Sequence, residues 1–332
     1  MYKRERESES SKRKKIQKMR PKVVLFGDSI TEESFGDGGW GASLADLLRR
    51  KADMVLRGYS GYNTRWALKV MERVFPAAGD GGAYPSAVTV FFGANDACLP
   101  ERCSGFQHVP LLEYKQNLRL IVSFLKNRWP RTVIILITPP PIDEEARLRY
   151  PYIENTIGLP ERTNEAAGTY AKACVAVANE CQIPAIDLWS KMQQIPNWQT
   201  ECLWDGLHLS RVGNKVVFEE VTNTLKGEGI GAEDLVVDLP LIEDVDPKKP
   251  LTAFDDQDHN AVVTSSGPKT SPILGLKETK PTPAAHSCRL SPMAPKTEDK
   301  NRAASDCTVK SKETSNVTLA NSFAVQDPDY AV

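Results

Sequence analysis

Five short apolar runs, separated by amphipathic segments, constrain the fold of this chain more than any other feature. The runs span residues 23–26, 54–56, 88–92, 133–137 and 185–188. Short and continuously apolar runs are typical of strands that are buried on both faces. When such strands alternate with helices along a chain, they form a parallel sheet that helices cover on both sides. The pattern therefore predicts an α/β domain with a five-stranded sheet.

The segments between the runs have the periodicity of amphipathic helices, at residues 44–50, 64–74, 114–129 and 164–181. In the third segment the apolar residues share one helical face, which comprises Tyr114, Leu118, Ile121, Val122 and Leu125. A last helix is predicted after Ser210, a good N-cap residue, with an inward face of Val217, Val221 and Leu225. These elements make one domain over residues 21–245.

The composition limits which partners and which cellular compartment are expected for the protein. The 332 residues include 41% apolar and 26% charged residues, and the formal net charge is −1. These values are ordinary for a soluble globular protein and give no reason to expect nucleic acid or an anionic membrane as a partner. No apolar run reaches the length of a membrane span, and no apolar signal-peptide core follows the basic N-terminus. We therefore expect a cytoplasmic protein.

Two flanking segments differ from the domain in composition. Residues 1–20 form a basic arm, and residues 246–332 form a tail rich in Ser, Thr, Pro and Lys. Both have little apolar surface to bury, so both are predicted to be disordered. The run KRKK at residues 12–15 leaves nuclear location open as an alternative.

The cysteines indicate neither a disulfide framework nor a metal site. The chain has 7 of them, an odd number without dense spacing, so reduced thiols are expected. Cys98, Cys103 and His108 are close in sequence, but their spacing matches no common zinc pattern and a fourth ligand is not evident. We predict no metal and no organic cofactor.

Polar residues and glycines follow the predicted strands. Open parallel sheets bind ligands at the carboxyl ends of their strands. The residues found there, or on the loop before the last helix, are Ser29, Gly58, Gly61, Asn95, Asp205 and His208. A serine, an aspartate and a histidine are therefore expected at one edge of the sheet.

This set of residues meets the needs of acyl transfer. A histidine can remove the proton that keeps a serine hydroxyl unreactive, and a carboxylate can orient that histidine. Asp205 lies three residues before His208, within reach of its ring. Three N–H donors are available for a negatively charged oxygen: the backbone N–H groups of Ser29 and Gly61, and the side-chain amide of Asn95.

Each member of the set also has a purely structural explanation. Ser29 is a suitable helix N-cap, and Gly61 is suited to a turn. Asn95 can brace its own loop, while Asp205 and His208 can shape the entry to the last helix. The collection of all of them after strand ends favours the catalytic explanation.

At these residues the chain resembles the SGNH, or GDSL, hydrolase superfamily. The segments FGDSIT, GYSGYNT, FFGANDA and DGLHLS match its four blocks in order, and finer details resemble the isoamyl acetate-hydrolysing esterase branch and its plant GDSL esterase/lipase relatives. The resemblance implies a three-layer α/β/α, flavodoxin-like fold. It also implies Ser29 as nucleophile, His208 as base, Asp205 as its orienting partner, and an oxyanion hole of Ser29, Gly61 and Asn95.

The resemblance implies a serine esterase that forms an acyl-enzyme and then releases the acid with water, acting on short-chain acyl or acetyl esters carried by a small molecule or a lipid. Alternatives with the same triad are a lipase, a thioesterase or a carbohydrate O-acetylesterase. A silent hydrolase fold that serves as a scaffold through its tails is the alternative of another class. Residues 139–159, rich in proline and aromatics, are a candidate wall of the acyl or alcohol pocket, and packing of a surface loop explains the segment equally well. Trp40 and Trp204 are close in sequence to motif residues and are candidates to line the site.

Overall fold

The structure is a computed structural model that describes residues 20–76 and 84–254. Within these residues one parallel sheet has the strand order β2-β1-β3-β4-β5. This is the order of flavodoxin-like doubly wound sheets. The predicted α/β class and five-stranded parallel sheet are confirmed, with these strands: β1 (Lys22–Gly27), β2 (Asp53–Gly58), β3 (Pro85–Phe91), β4 (Val133–Ile137) and β5 (Ala185–Ile186).

Helices follow the strands and cover both faces of the sheet. Their bounds are α1 (Ser29–Glu32), α2 (Trp40–Leu47), α3 (Thr64–Val74), α4 (Leu111–Arg128), α5 (Glu144–Arg149), α6 (Asn164–Cys181), α7 (Leu188–Met192), α8 (Trp198–Glu201) and α9 (Arg211–Gly227). Short 3₁₀ turns occupy Glu33–Phe35, Gly105–Gln107, Ile242–Asp244 and Pro250–Phe254. None of the helices in the described part of the chain is long and apolar enough to cross a membrane.

The core has two halves, one on each face of the sheet. Successive residues of β1 point to opposite faces, because side chains alternate along a strand. Val23 and Leu25 pack with the buried side chains of α2 and α9. Val24 and Phe26 pack with those of α3, α4 and α6. The sheet is therefore the middle layer of three.

Local capping explains where several helices begin. Asn63, Thr163 and Ser210 each accept a backbone N–H from the first turn of the helix that follows. The segments predicted at residues 64–74 and 164–181 match α3 and α6, and Ser210 is the predicted cap of α9. The predicted inward face of α9, including Val217 and Val221, is buried.

The bounds of two predicted elements were wrong. The fifth strand ends at Ile186, because the Asp187 carboxylate accepts the Ser190 N–H at 3.1 Å and starts a helix at Leu188. The helix predicted at residues 44–50 instead begins at Trp40 and ends at Leu47. Beyond it the chain turns, with Arg50 in the left-handed region at φ 61°.

The flanking segments lie almost wholly outside the described residues. Of the predicted arm only residue 20 is described, and of the predicted tail only residues 246–254. The predicted disorder, domain limits and cytoplasmic or nuclear location therefore stay predictions.

Candidate active site

Ser29 begins α1 directly after β1, at the carboxyl edge of the sheet. The residue that caps this helix is Asp28, whose carboxylate accepts the Ile30 N–H at 3.1 Å. The structural explanation of Ser29 as an N-cap is therefore wrong. Gly27 permits the tight turn, because a Cβ at that position would lie 2.1 Å from the Thr31 hydroxyl oxygen. The serine side chain is left to face the cavity described below.

Asp205 and His208 lie on the loop between α8 and α9. The Asp205 Oδ1 atom accepts the N–H groups of Leu207 at 3.0 Å and of His208 at 2.7 Å, which folds the loop around the carboxylate. Its Oδ2 atom lies 2.8 Å from His208 Nδ1. His208 Nε2 lies 3.0 Å from Ser29 Oγ. The structure thus brings the three residues singled out from the sequence into one hydrogen-bonded chain.

The charges around these three hydrogen-bonded side chains make His208 a stronger base. Burial lowers the pKa of His208, but the hydrogen bond and charge of Asp205 outweigh it and raise the pKa above its ordinary value. Burial raises the pKa of Asp205, but His208 and the Arg147 cation together hold it well below its usual range. Asp205 therefore stays ionised, and Nδ1 of His208 carries the proton that it donates to Asp205. Nε2 is then free to accept a proton from Ser29.

The three residues predicted to donate to an oxyanion, Ser29, Gly61 and Asn95, line the same cavity. Gly61 adopts φ 78°, a conformation that favours glycine. Within the described residues, the N–H groups of Ser29 and Gly61 have no hydrogen-bond acceptor. Asn95 Nδ2 donates to the Tyr62 carbonyl oxygen at 2.8 Å and retains a second N–H. Asn95 therefore also braces the loop that contains Tyr62, and not its own loop as the structural explanation held.

A cavity of about 470 Å³ opens over Ser29 and His208, and Gly61 and Asn95 contribute to its lining. Part of the wall consists of Tyr150, Pro151 and Tyr152. This agrees with the predicted role of residues 139–159.

The two tryptophans predicted near the site have different positions. Trp204 lines the cavity and stacks on the His208 ring, with ring centroids 5.9 Å apart. Trp40 is fully buried in the core, where its Nε1 donates to the Ile30 carbonyl at 3.2 Å. The prediction for Trp40 was wrong.

Sequence reasoning missed three buried charged residues, Arg147, Glu161 and Arg162, of which the two arginines contribute to the lining of the cavity. Arg147 donates to Asp205, and Arg162 donates to Asn95. Charged residues are mostly exposed, so nothing in the spacing of these three identified them as buried. The nearest signal was the segment at residues 139–159, which contains Arg147 and ends just before the other two.

The described residues contain no group of three or more His, Cys, Asp and Glu side chains that could hold a metal ion. His108 Nδ1 pairs with the Cys98 carbonyl oxygen at 2.6 Å. Burial raises the pKa of the Cys98 thiol to about 11, so the thiol is protonated at neutral pH. The Cys103 side chain is only partly buried.

The fold and the clustered residues define a class of hydrolase, and comparison with known proteins identifies the family. The model of the GDSL-like lipase/acylhydrolase family matches residues 23–221. The chain belongs to this family, and carboxylic ester hydrolysis is its activity. The resemblance drawn from the four sequence blocks is confirmed.

Particular relatives refine this assignment. The chain is 87% identical to a GDSL esterase/lipase of Arabidopsis thaliana over 239 residues, which are 72% of this chain and 99% of that protein. It is 44% identical to a bovine isoamyl acetate-hydrolyzing esterase 1 homolog, with 72% of this chain and 94% of that protein covered. A solved lipase/acylhydrolase of Enterococcus faecalis matches with a TM-score of 0.50 and 26% identity, over 66% of this chain and 98% of that one.

Proposed function

We propose that this protein is a serine esterase that hydrolyses short-chain acyl esters through a covalent acyl-enzyme on Ser29. The observation that carries the proposal is the continuous chain from Asp205 Oδ2 to His208 and from His208 Nε2 to Ser29 Oγ, with distances of 2.8 and 3.0 Å. Both distances are within hydrogen-bond reach, and the proton is transferred across the second bond, from Ser29 Oγ to His208 Nε2.

In the first step Ser29 Oγ attacks the carbonyl carbon of the ester while His208 Nε2 takes the hydroxyl proton. The carbonyl oxygen becomes negative and faces the N–H groups of Ser29 and Gly61 and the free amide N–H of Asn95. Asp205 stabilises the positively charged imidazolium. The intermediate then collapses: the bond to the alcohol oxygen breaks, and His208 returns the proton to that oxygen.

In the second step water attacks the acyl carbon on Ser29, and His208 Nε2 takes a proton from the water. Collapse of the second intermediate breaks the bond to Ser29 Oγ, which receives the proton, and releases the acid. Each step uses the same base and the same oxyanion donors, so one arrangement of three side chains serves both.

Two observations support a short acyl group. A relative that is 44% identical is named for isoamyl acetate hydrolysis. The cavity of about 470 Å³ is also near the lower end of small-molecule sites. The exposed rings of Tyr150, Tyr152 and Trp204 border this cavity and offer apolar contact to the other part of the ester.

Labelling with a fluorophosphonate probe tests the nucleophile, with wild type beside Ser29→Ala. We expect wild type to be labelled and Ser29→Ala to be neither labelled nor active, with an unchanged thermal melting curve. Ser190→Ala is the matched control, because Ser190 lies in α7 away from the triad. An active Ser29→Ala would refute the proposal.

Turnover of p-nitrophenyl esters of increasing chain length tests the acyl preference. Acetate and butyrate are expected to give the highest kcat/KM. A maximum at long chains, with activity that rises at a lipid interface, would favour the lipase alternative. Lack of labelling and of turnover in well-folded wild type would favour the scaffold alternative.

A further inference from the structure

We propose that Glu161 anchors a buried charged bridge that positions both halves of the site, with Arg147 acting on the triad and Arg162 acting on the oxyanion donors. The proposal rests on the function proposed above. The three side chains are almost completely excluded from solvent, with 2% of Arg147, 0% of Glu161 and 3% of Arg162 exposed.

Arg162 fixes the residues of the oxyanion hole. Its Nη2 donates to Asn95 Oδ1 at 2.9 Å and to Gln107 Oε1 at 3.0 Å. Gln107 in turn donates through Nε2 to the Gly61 carbonyl oxygen at 2.9 Å. A rotated Asn95 amide would place its oxygen where the oxyanion forms, and the guanidinium opposes that rotation because it requires an acceptor on its own side. Arg162 thereby keeps the Asn95 N–H directed to the cavity.

Arg147 acts on the other half of the site. Its Nη1 donates to Asp205 Oδ2 at 2.8 Å and lies 3.2 Å from the Asp205 carbonyl oxygen. The same Oδ2 atom pairs with His208 Nδ1. A cation and the imidazole therefore share one carboxylate oxygen. Arg147 holds Asp205 in place, and its positive charge limits how strongly Asp205 attracts a proton to His208.

Glu161 joins the two arginines through a single atom. Its Oε1 accepts from Arg147 Nε at 2.8 Å, from Arg147 Nη2 at 2.7 Å and from Arg162 Nη1 at 2.9 Å. Its backbone is also fixed, because its carbonyl oxygen accepts the Leu99 N–H at 2.9 Å. Two cations thus balance the two anions Glu161 and Asp205. A buried ionic group adds little net stability compared with apolar packing, so orientation is its main effect here.

The bridge predicts pH shifts of opposite sign. His208 must be neutral to act as a base, so kcat/KM falls as pH drops through its pKa. Arg147→Met removes a cation, which is expected to raise that midpoint by about one pH unit. Glu161→Gln removes an anion and strengthens the hold of Arg147 on Asp205, which is expected to lower the midpoint. If Arg147 and Glu161 only stabilised the fold, their replacement would not move the midpoint of the pH profile in opposite directions.

Arg162→Met is expected to lower kcat, because Arg162 contacts the oxyanion residues, and to move the midpoint less than Arg147→Met does, because it does not contact Asp205 or His208. Displacement of one donor by about 1 Å costs about 100-fold in rate. Arg162→Lys keeps the charge and is expected to restore part of the loss. Arg119→Met is the control, since Arg119 pairs with Glu180 on the surface of α4. It should leave kcat and the midpoint unchanged.

The measurements are kcat and KM for p-nitrophenyl acetate across pH, thermal melting, and NMR titration of the His208 ring, which needs no turnover. If a single variant does not fold, the double variant Glu161→Met/Arg162→Met replaces it. This variant removes one cation and one anion and leaves Arg147 paired with Asp205. It is expected to fold and to lose kcat as Arg162→Met does.

Folded variants with the kcat and the His208 midpoint of wild type would overturn the bridge. That result, obtained while Ser29→Ala is inactive, would leave the proposed esterase function intact. Activity in Ser29→Ala would instead overturn the function, and the NMR titration would still decide whether Arg147 and Glu161 shift the His208 pKa in opposite directions.

Discussion

Replacement of Asp205 by asparagine removes the negative charge of this side chain and keeps its size and shape. Oδ1 of Asp205 accepts the N–H groups of Leu207 and His208, so the asparagine oxygen is expected to stay on that side. The NH₂ group then takes the place of Oδ2, where it faces two donors, His208 Nδ1 and Arg147 Nη1. His208 relieves the conflict by moving its proton to Nε2. In that tautomer the ring can no longer accept the Ser29 proton.

The expected loss in kcat is about 10⁴-fold, the effect of the wrong tautomer in a serine triad. This corresponds to about 5 kcal/mol of lost transition-state stabilisation. The stability cost is smaller, about 1–3 kcal/mol, because only the hydrogen bond of Arg147 to this position is lost and Glu161 still pairs with the guanidinium. The assay is kcat for p-nitrophenyl acetate at neutral pH, with thermal unfolding measured on the same samples.

The matched control is Asp187→Asn. Asp187 caps α7, where its Oδ1 accepts the Ser190 N–H at 3.1 Å, and asparagine is an equally good cap. Neither kcat nor the melting temperature should change. A folded Asp205→Asn that retains kcat within about tenfold of wild type would refute the tautomer argument, since tenfold is only 1.4 kcal/mol.

Three further predictions follow from the geometry of the site. Because the His208 pKa is raised above its ordinary value, the acid limb of a pH–kcat/KM profile should have its midpoint above pH 6.5; a lower midpoint would contradict this. Gly61→Ala places a Cβ at φ 78° and 3.3 Å from Gln107 Nε2, so unfolding experiments should find a loss of about 1 kcal/mol, and kcat should fall. Burial raises the pKa of Asp28 to about 7, so its contribution to stability is complete below its ordinary pKa of 3.8 and is lost as pH rises through about 7. Asp28→Asn keeps the cap and should therefore melt higher than wild type above pH 7, an advantage that disappears in acid; equal melting temperatures at every pH would count against a raised pKa.

Local patterns predicted much of the fold. The apolar runs located all five strands to within a few residues, and Ser210, the predicted cap, starts α9 in the structure. Errors occurred where two local signals compete, as at Leu188, which continues an apolar run and also follows the capping residue Asp187. Ser29 and His208 lie on loops at the same edge of the sheet and meet there as expected.

The sequence predicted the proposed catalytic and oxyanion residues of the candidate site, but not the buried charged residues that contact them. Ser29, Gly61, Asn95, Asp205 and His208 were found because they follow strand ends in short motifs that match a known family. Arg147, Glu161 and Arg162 were missed, because a charged residue gives no sign in the sequence that it is buried. Trp40 was misplaced for the complementary reason, because proximity in sequence to a motif does not decide the direction of a side chain.

The sequence by itself determined the class of fold, the order of its elements and the types of residue at the edge of the sheet, because hydrophobic periodicity and capping act over a few neighbouring residues. Only the tertiary structure decided which charged side chains bond to the same atom. Glu161 meets Arg147 across 14 residues of chain, and Arg162 meets Asn95 across 67. Ion pairs and hydrogen bonds of this kind depend on separations of about 3 Å. Such separations exist only after the chain has packed.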